Sequence, residues 1–503
     1  MRLSELLHRS GLAPAVGTDP EVTAVEYDSR NCHPGAVFVA VPGFHVDGHG
    51  FAAAAVRAGA VAVVAEQAPV PPVPATTPLL TVTSSRRALS ALSASLAGHP
   101  SRRMTVAGIT GTDGKTTTST MLWAAWQAAG ERAASITTVD VRVGDGVRPS
   151  SGRITTLEAP ELHRWLAEAA AAGCTRVALE TSSHGLHLHR VDDVDYDIAV
   201  YTRITSEHLD IHGTREEYLR TKRRLLELVG TRPRGLAVLD RDDDFAFARL
   251  AATPVARRLT YSAAGSPDAD LIAEDLRVDA RGVHFVAATP WGRTPVELRL
   301  AGAFNAANAL AALAAACGSG AGLELATRGL TGLERVVGRM ERVDLGQDFA
   351  VVVDYAHSAA ALETVLGELR PATGGRLWVV FGSAGERDRE KRGTMGRVAA
   401  RLADVVVVAD EDPRGEDRVA IVEEIAAAAE AAGATRGTRL HLIPDRTAAI
   451  DFAIRGAAAG DTILLAGKGH ERTIEMADGP VPWDERAVAE AALRQAPRPR
   501  AGA

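Results

Sequence analysis

The stretch that most constrains this chain is Gly108-Ile109-Thr110-Gly111-Thr112-Asp113-Gly114-Lys115-Thr116-Thr117-Thr118. It follows the apolar run Met104 to Ala107, which reads as a short buried strand. It leads into a helix expected over Ser119 to Gln127, with Met121, Leu122, Ala124 and Ala125 as its apolar residues. Strand, glycine-rich turn, Lys-Thr and helix is the layout of a phosphate-binding loop. Backbone N–H groups and the positive helix end receive the anion, Lys115 adds a point charge, and Thr116 offers an oxygen to Mg²⁺. The glycines fall as G-x-x-G-x-x-G-K-T rather than G-x-x-x-x-G-K-[ST], because position 109 is Ile. Gly111, Thr112, Asp113, Gly114, Lys115, Thr116 and Thr117 are the expected nucleotide contacts, in an α/β fold with the loop at a strand's carboxyl end.

At 503 residues the chain is too long for one core, and three domains are expected. Its 46% hydrophobic and 24% charged residues are those of an ordinary globular protein. A net charge of −7 speaks against a general nucleic-acid or membrane surface. Cys32, Cys174 and Cys317 are odd in number and far apart, which fits a reducing compartment and forms no metal-ligand spacing. The start, Met1 to His8, has no apolar signal-peptide core. The Ala-rich stretch 309 to 326 is interrupted by Cys, Ser and Gly and reads as a buried helix pair, not a membrane span. A soluble, cytoplasmic monomer without nucleic-acid or membrane partners is expected.

Residues 1 to 101 read as a small α/β domain, with strands at 36–41 and 60–65 and helices at 51–58 and 87–96. Its polar clusters, Asp28-Ser29-Arg30 and Gly43 to His49, suit either caps and turns or a ligand. Residues 102 to 337 form a larger α/β segment. Val177-Ala178-Leu179 runs into Glu180-Thr181-Ser182-Ser183-His184, and Ile198 to Tyr201 runs towards Thr205-Ser206-Glu207-His208. Ligands of open parallel sheets sit beyond the carboxyl ends of strands, so both motifs belong on the rim of Lys115. Glu180 and His208 are candidate Mg²⁺ ligands. Lys222 lies on the helix after Gly213, where a charge is ordinarily solvated. Asn305 and Asn308 share one helix face and suit a purine edge or a cap.

From 338 to 503 five apolar runs recur, at 350–353, 377–381, 405–408, 440–443 and 462–465. Helical segments at 358–369, 391–402, 417–432 and 446–457 separate them, which predicts a doubly wound parallel sheet. Four of the runs end in polar motifs: Asp354-Tyr355-Ala356-His357, Gly382 to Arg389, Glu411-Asp412-Pro413-Arg414 through Asp417, and Gly467-Lys468-Gly469-His470-Glu471. Four polar strand ends together predict a ligand rim.

Taken in order, these pieces resemble the Mur ligase family over essentially the whole chain. The match runs from Asp28-Ser29-Arg30 through the phosphate loop, Thr155-Thr156, Glu180 with Ser182-Ser183-His184, His208-Leu209-Asp210 and Lys222. It continues through Asn305 with Asn308, Gly338-Arg339-Met340-Glu341, Asp354 to His357, Arg387-Asp388-Arg389 and Gly467 to Glu471. The resemblance implies a uridine-nucleotide domain, a central ATPase domain and a domain that presents an amino acid. It implies ATP-dependent joining of a diamino acid to the D-Glu carboxylate of UDP-MurNAc-L-Ala-D-Glu through an acyl phosphate, in peptidoglycan synthesis. By residue, it implies Mg²⁺ held by Thr116, Glu180 and His208, a carbamylated Lys222 at the metal site, and Lys115 on the phosphates. Asn305, Arg339 and Asp354 match positions for adenine, phosphate and ribose. Thr155, Thr156, Ser182 and Arg190 match the muramyl-peptide site, and Ser29 the uridine site. His357, Arg387, Asp412, Arg414, Gly467 and Glu471 match the amino-acid site.

The chain departs from the family pattern at particular places. Asp113 and Arg203 stand where Asn is usual, Leu157 replaces a proline, and Ala359-Ala360 replaces Pro-Asp. Glu411-Asp412-Pro413-Arg414 stands where diaminopimelate-adding members carry Asp-Asn-Pro-Arg. Arg414 can hold a distal carboxylate bidentately, whereas Asp412 would rather face an ammonium. Diaminopimelate is therefore the expected amino acid, with lysine and ornithine the alternatives. The departures also motivate two rival readings: a ligase for another acid in secondary metabolism, and an inactive nucleotide-binding regulator.

Overall fold

Thr105–Thr110 is a strand with parallel neighbours on both sides, and all but its first residue are buried. Burial on both faces is why it reads as a continuous apolar run. Its register sets Ile109 beside Glu180 and Thr110 beside Tyr201. The loops after three adjacent strands therefore leave the sheet at one level.

The computed structural model describes residues 1–14, 18–43, 46–144, 146–150, 154–205, 207, 209–279 and 282–496. They fall into two compact units, Met1–Ile272 with Leu310–Gly329, and Ala273–Ala309 with Leu330–Ala503.

In the first unit, Ala24–Glu26, Ala36–Val39, Ala62–Ala65 and Leu79–Thr81 form a parallel sheet in chain order. The helices Leu3–Arg9 and Ser85–Leu96 cover one face with Leu3, Leu6, Leu7, Leu89 and Leu92. A second sheet follows, running Arg257–Ser262, Leu236–Asp240, Ile198–Tyr201, Thr105–Thr110, Arg176–Glu180 and Ala133–Ile136, all parallel. The antiparallel strands Asp140–Val143 and Gly146–Pro149 extend it. A Cβ at Gly108 would lie 2.7 Å from the Tyr196 ring and 2.8 Å from Leu225. Glycine there lets the helix Arg215–Gly230 lie close on the sheet. The helix after the glycine turn is Lys115–Ala128, four residues longer at its start than expected, because Gly114 takes the N-cap in the left-handed region at φ 82°.

The strand Leu271–Asp279 begins in the first unit and ends in the second, where the hairpin Gly282–Thr289 and Gly292–Leu298 follows. The second unit has a six-stranded sheet: Glu341–Arg342, Ala350–Asp354, Thr462–Ala466, Leu377–Phe381, Val405–Val408 and Leu440–Leu442. All are parallel except the first. Helices Ala359–Leu369, Glu390–Leu402 and Arg418–Ala431 bury Leu362, Met395 and Ile425 against one face. Arg446–Gly456 and Glu485–Gln495 cover the other with Ile450, Ile454 and Ala489. This is the doubly wound arrangement read from the alternation. The Ala-rich stretch forms two helices, Phe304–Gly318 and Leu323–Thr331. No helix among the described residues is long and apolar enough to cross a membrane.

Candidate active site

The glycine turn is held from the strand beside it. Thr112 N–H donates to the Arg203 carbonyl at 2.8 Å, and Thr205 N–H donates to Thr112 Oγ1 at 2.9 Å. Thr202 Oγ1 donates to the Asp113 and Thr110 carbonyls at 2.6 and 3.2 Å. The side chains of Asp113 and Arg203 are exposed, so these departures sit at the surface of a braced loop. Gly114 has no side chain to cap the first-turn amides, which leaves the helix end facing outwards as an anion receptor.

Two amines meet at this loop. Lys115 Nζ donates to the Thr112 and Gly111 carbonyls at 2.7 and 3.2 Å. Lys222 Nζ donates to the same Gly111 carbonyl at 2.7 Å and lies 4.5 Å from the Tyr218 ring centre. Contrary to the solvated helix charge that spacing suggests, Lys222 is 1% exposed. Burial, reinforced by Lys115, pushes its amine far below the usual lysine range. A neutral amine is a nucleophile, which an ammonium is not.

Thr116 Oγ1 donates to Glu180 Oε2 at 3.0 Å, and Thr138 N–H donates to the same oxygen at 2.9 Å. Hydroxyl and buried carboxylate are hard oxygens that fit Mg²⁺, with phosphate and water completing the shell. Among the described residues no group of three His, Cys, Asp or Glu side chains could hold a metal. His208 and Ser206 lie outside the described residues. Beyond Glu180, Thr156 Oγ1 donates to the Glu180 carbonyl at 3.1 Å and to Ser182 Oγ at 3.0 Å. Ser182 Oγ also caps the helix Ser183–His187 at Gly185, and Arg190 holds the Thr156 carbonyl and Glu158. Thr155 is half-buried beside this group, and Leu157 is in the apolar core. In the N-terminal sheet region Asp28 caps the turn Ser29–Asn31 and pairs with Arg30, leaving Ser29 half-buried. Asp47 caps the next turn at His49, while Phe44 and His45 lie outside the described residues.

The second unit gathers its polar motifs at the carboxyl ends of its strands. Asp354 accepts from Ala356 and Met340 N–H, both at 2.8 Å. Arg339 lies 4.5 Å over the Tyr355 ring, which also meets the His357 and His470 rings at tilted angles. Asn305 accepts from Asn308 Nδ2 at 2.9 Å and donates to the Ala301 carbonyl. Arg387 is exposed. Arg414 sits at φ 55°, its N–H bonded to the Glu475 carbonyl at 2.8 Å, and its Nε has no hydrogen-bond partner among the described residues. Glu411 Oε2 is likewise unpartnered, and a Cβ at Gly467, where φ is 102°, would lie in ordinary contact with the Glu411 side chain, 3.6 Å from its Cγ. Asp412 faces an ammonium from within the chain, accepting from Lys468 Nζ at 2.7 Å and from Glu475 N–H at 2.9 Å. Lys468, fully buried, also donates to Glu471 Oε2 at 2.5 Å. Burial raises the Glu471 carboxyl despite that partner. Lys468, Glu411 and Tyr355 lie in the polar motifs read from the sequence, but their burial and pairing are visible only in the fold.

Three family descriptions match in chain order: the Mur ligase family, catalytic domain, at 21–96; the Mur ligase middle domain at 109–316; and the Mur ligase, glutamate ligase domain, at 338–469. The UDP-N-acetylmuramyl-tripeptide synthetase of Roseiflexus sp. (strain RS-1) is 46% identical, over 98% of this chain and 99% of the relative. The chain belongs to the Mur ligase family. As a Mur ligase it is an ATP-dependent ligase. A second relative, the UDP-N-acetylmuramoyl-L-alanyl-D-glutamate–2,6-diaminopimelate ligase of Geobacillus thermodenitrificans (strain NG80-2), is 40% identical over 98% of this Mur ligase and all of the relative. A solved structure of a UDP-N-acetylmuramoyl-L-alanyl-D-glutamate–2,6-diaminopimelate ligase superposes with a TM-score of 0.67 at 30% identity, covering 98% of this chain and 99% of that one.

Proposed function

We propose that this Mur ligase joins a diamino acid, diaminopimelate before lysine or ornithine, to the D-Glu carboxylate of UDP-MurNAc-L-Ala-D-Glu in cytoplasmic peptidoglycan precursor synthesis. The names of its full-length relatives support this reading. The observation that carries it is Lys115 held at the phosphate loop, with the Thr116–Glu180 pair beside it as a seat for Mg²⁺. Transfer of a phosphoryl group to a carboxylate brings two anions together, and concentrated positive charge lowers that barrier.

The D-Glu carboxylate attacks the γ-phosphorus of ATP, ADP leaves, and an acyl phosphate forms. The amine of the diamino acid then attacks the acyl carbon, and the tetrahedral intermediate expels phosphate. Lys115 and the amides of Gly111 to Thr117 hold the phosphates. Thr116 and Glu180 would hold Mg²⁺, and the resemblance assigns His208 to a second ion. When bound, Mg²⁺ neutralises charge on the phosphate oxygens. The buried Lys222 amine, pushed well below the usual lysine range by burial, is suited to take up CO₂ as a carbamate, which turns a cation into an anion fit for a metal site.

Residues 1–101 with Ser29 serve the uridine nucleotide, and 102–337 with Thr155, Thr156, Ser182 and Arg190 serve ATP and the muramyl peptide. Residues 338–503 present the amino acid through His357, Arg387, Asp412, Arg414, Gly467 and Glu471. Asn305, Arg339 and Asp354 keep the roles the resemblance gives them, towards adenine, phosphate and ribose. One panel tests the whole reading: ADP release with UDP-MurNAc-L-Ala-D-Glu and diaminopimelate, lysine or ornithine in turn. Release that needs both the nucleotide and a diamino acid is expected. Silence with every diamino acid would overturn it.

A further inference from the structure

Lys468 is a buried ammonium with two carboxylates on it, and one of them, Asp412, sits in the motif expected to read the amino acid. An ammonium has three donors and no acceptor, and a buried one is stable only while paired. Lys468 is completely buried, so it cannot swing away without stranding Asp412 and Glu471 together. With it the three groups carry one net negative charge; without it they carry two.

The same lysine also reaches Arg414 through the backbone. Asp412 Oδ1, held by Lys468, accepts the Glu475 N–H, and the Glu475 carbonyl accepts the Arg414 N–H at 2.8 Å. Arg414 stands at φ 55°, a conformation that a non-glycine residue keeps only when its surroundings impose it. The contact that cancels Asp412 is thus continuous with the one that holds the Arg414 backbone, from which the guanidinium projects. Diaminopimelate and lysine both end in an ammonium; only diaminopimelate adds a distal carboxylate, for which Arg414 stands two residues from an Asp412 whose charge Lys468 cancels.

We infer that Lys468 sets the diamino-acid preference of this enzyme, by cancelling from within the chain the charge of Asp412 that would otherwise repel a distal carboxylate at Arg414. The inference rests on the reading that this rim holds the incoming amino acid. It makes Lys468 a positioning and specificity residue, acting through Asp412 and Arg414 rather than by touching the reacting atoms.

The test compares kcat/KM for diaminopimelate and for lysine, read as ADP release in the presence of UDP-MurNAc-L-Ala-D-Glu. The parent enzyme should favour diaminopimelate by tenfold or more. In Lys468→Met the ratio should move tenfold or more towards lysine. In Lys468→Met/Asp412→Asn, which removes the stranded charge, that gain should vanish. A parent that uses lysine as well as diaminopimelate would overturn the inference, and this arm needs no variant to fold. An unchanged ratio in Lys468→Met, while Arg414→Ala raises KM for diaminopimelate, would also overturn it and leave the amino-acid site standing. If neither Arg414→Ala nor Lys468→Met alters KM for any amino acid, the underlying reading of the rim has failed.

Discussion

Gly111→Ala tests the phosphate loop where it has least room. A Cβ at position 111 would lie 1.8 Å from Thr202 Oγ1 and 3.0 Å from its Cβ. Non-bonded heavy atoms rest at about 3.5 Å, so the loop or Thr202 has to move by roughly 1.5 Å. Thr202 cannot simply rotate away, because its hydroxyl holds the Asp113 and Thr110 carbonyls. A displacement of about 1 Å from productive geometry costs on the order of 10²-fold in rate, or about 2.7 kcal/mol. We expect kcat/KM for ATP to fall by that factor or more. Thr202→Ala alone should cost less, since each lost hydrogen bond is worth about 1 kcal/mol. Combined, the two changes should cost about 1 kcal/mol less than their sum, because removing the hydroxyl removes the closest collision. The assay is ADP release with ATP varied and the other substrates saturating. Parental kinetics in Gly111→Ala, or strictly additive losses, would refute the steric argument.

Lys222→Ala should lower turnover severely and regain part of it with added short carboxylic acids; full activity without them would rule out the carbamate role. Asp240, buried near Asp242 and Asp243, has its carboxyl raised by burial to about 7. The folded state therefore binds the extra proton between the unfolded value of 3.8 and about 7, and stability falls as pH rises through that window. Asp240→Asn should raise the melting temperature relative to the parent at pH 8 and make little difference at pH 3, which thermal unfolding across pH would show. Arg446 and Glu485 are fully buried partners, so Arg446→Met should destabilise the second unit by about 3–5 kcal/mol. Adding Glu485→Leu should recover most of that, as read by urea midpoints; equal losses in both variants would count against the pairing argument.

The sequence made the second unit's central strands readable because they are short apolar runs with almost every residue buried, as at Val405–Val408. The hairpin strand Gly292–Leu298 alternates buried and exposed residues, and Arg257–Ser262 opens on two exposed arginines, so their polar residues hid them. Motif positions at strand ends were likewise legible, since a parallel sheet puts them on one rim. What those side chains do there was not. Asp412 is neutralised by a lysine 56 residues further on, and Lys222 looks like any helix cation until the helix is placed on Thr105–Thr110. Pairing and burial are properties of the fold, and spacing does not encode them.

The strand Thr462–Ala466 lies between Ala350–Asp354 and Leu377–Phe381, although it is the last of the parallel strands in the chain. Until it arrives, Ala350–Asp354 has no parallel neighbour. A ribosome must therefore release more than a hundred residues before the sheet can join, and such long-range pairing is slow and leaves apolar edges open meanwhile. Gly467, Lys468 and Glu471 follow that strand directly. The amino-acid rim and the closing of the sheet are thus one event, and a nascent chain cut short of it can display neither.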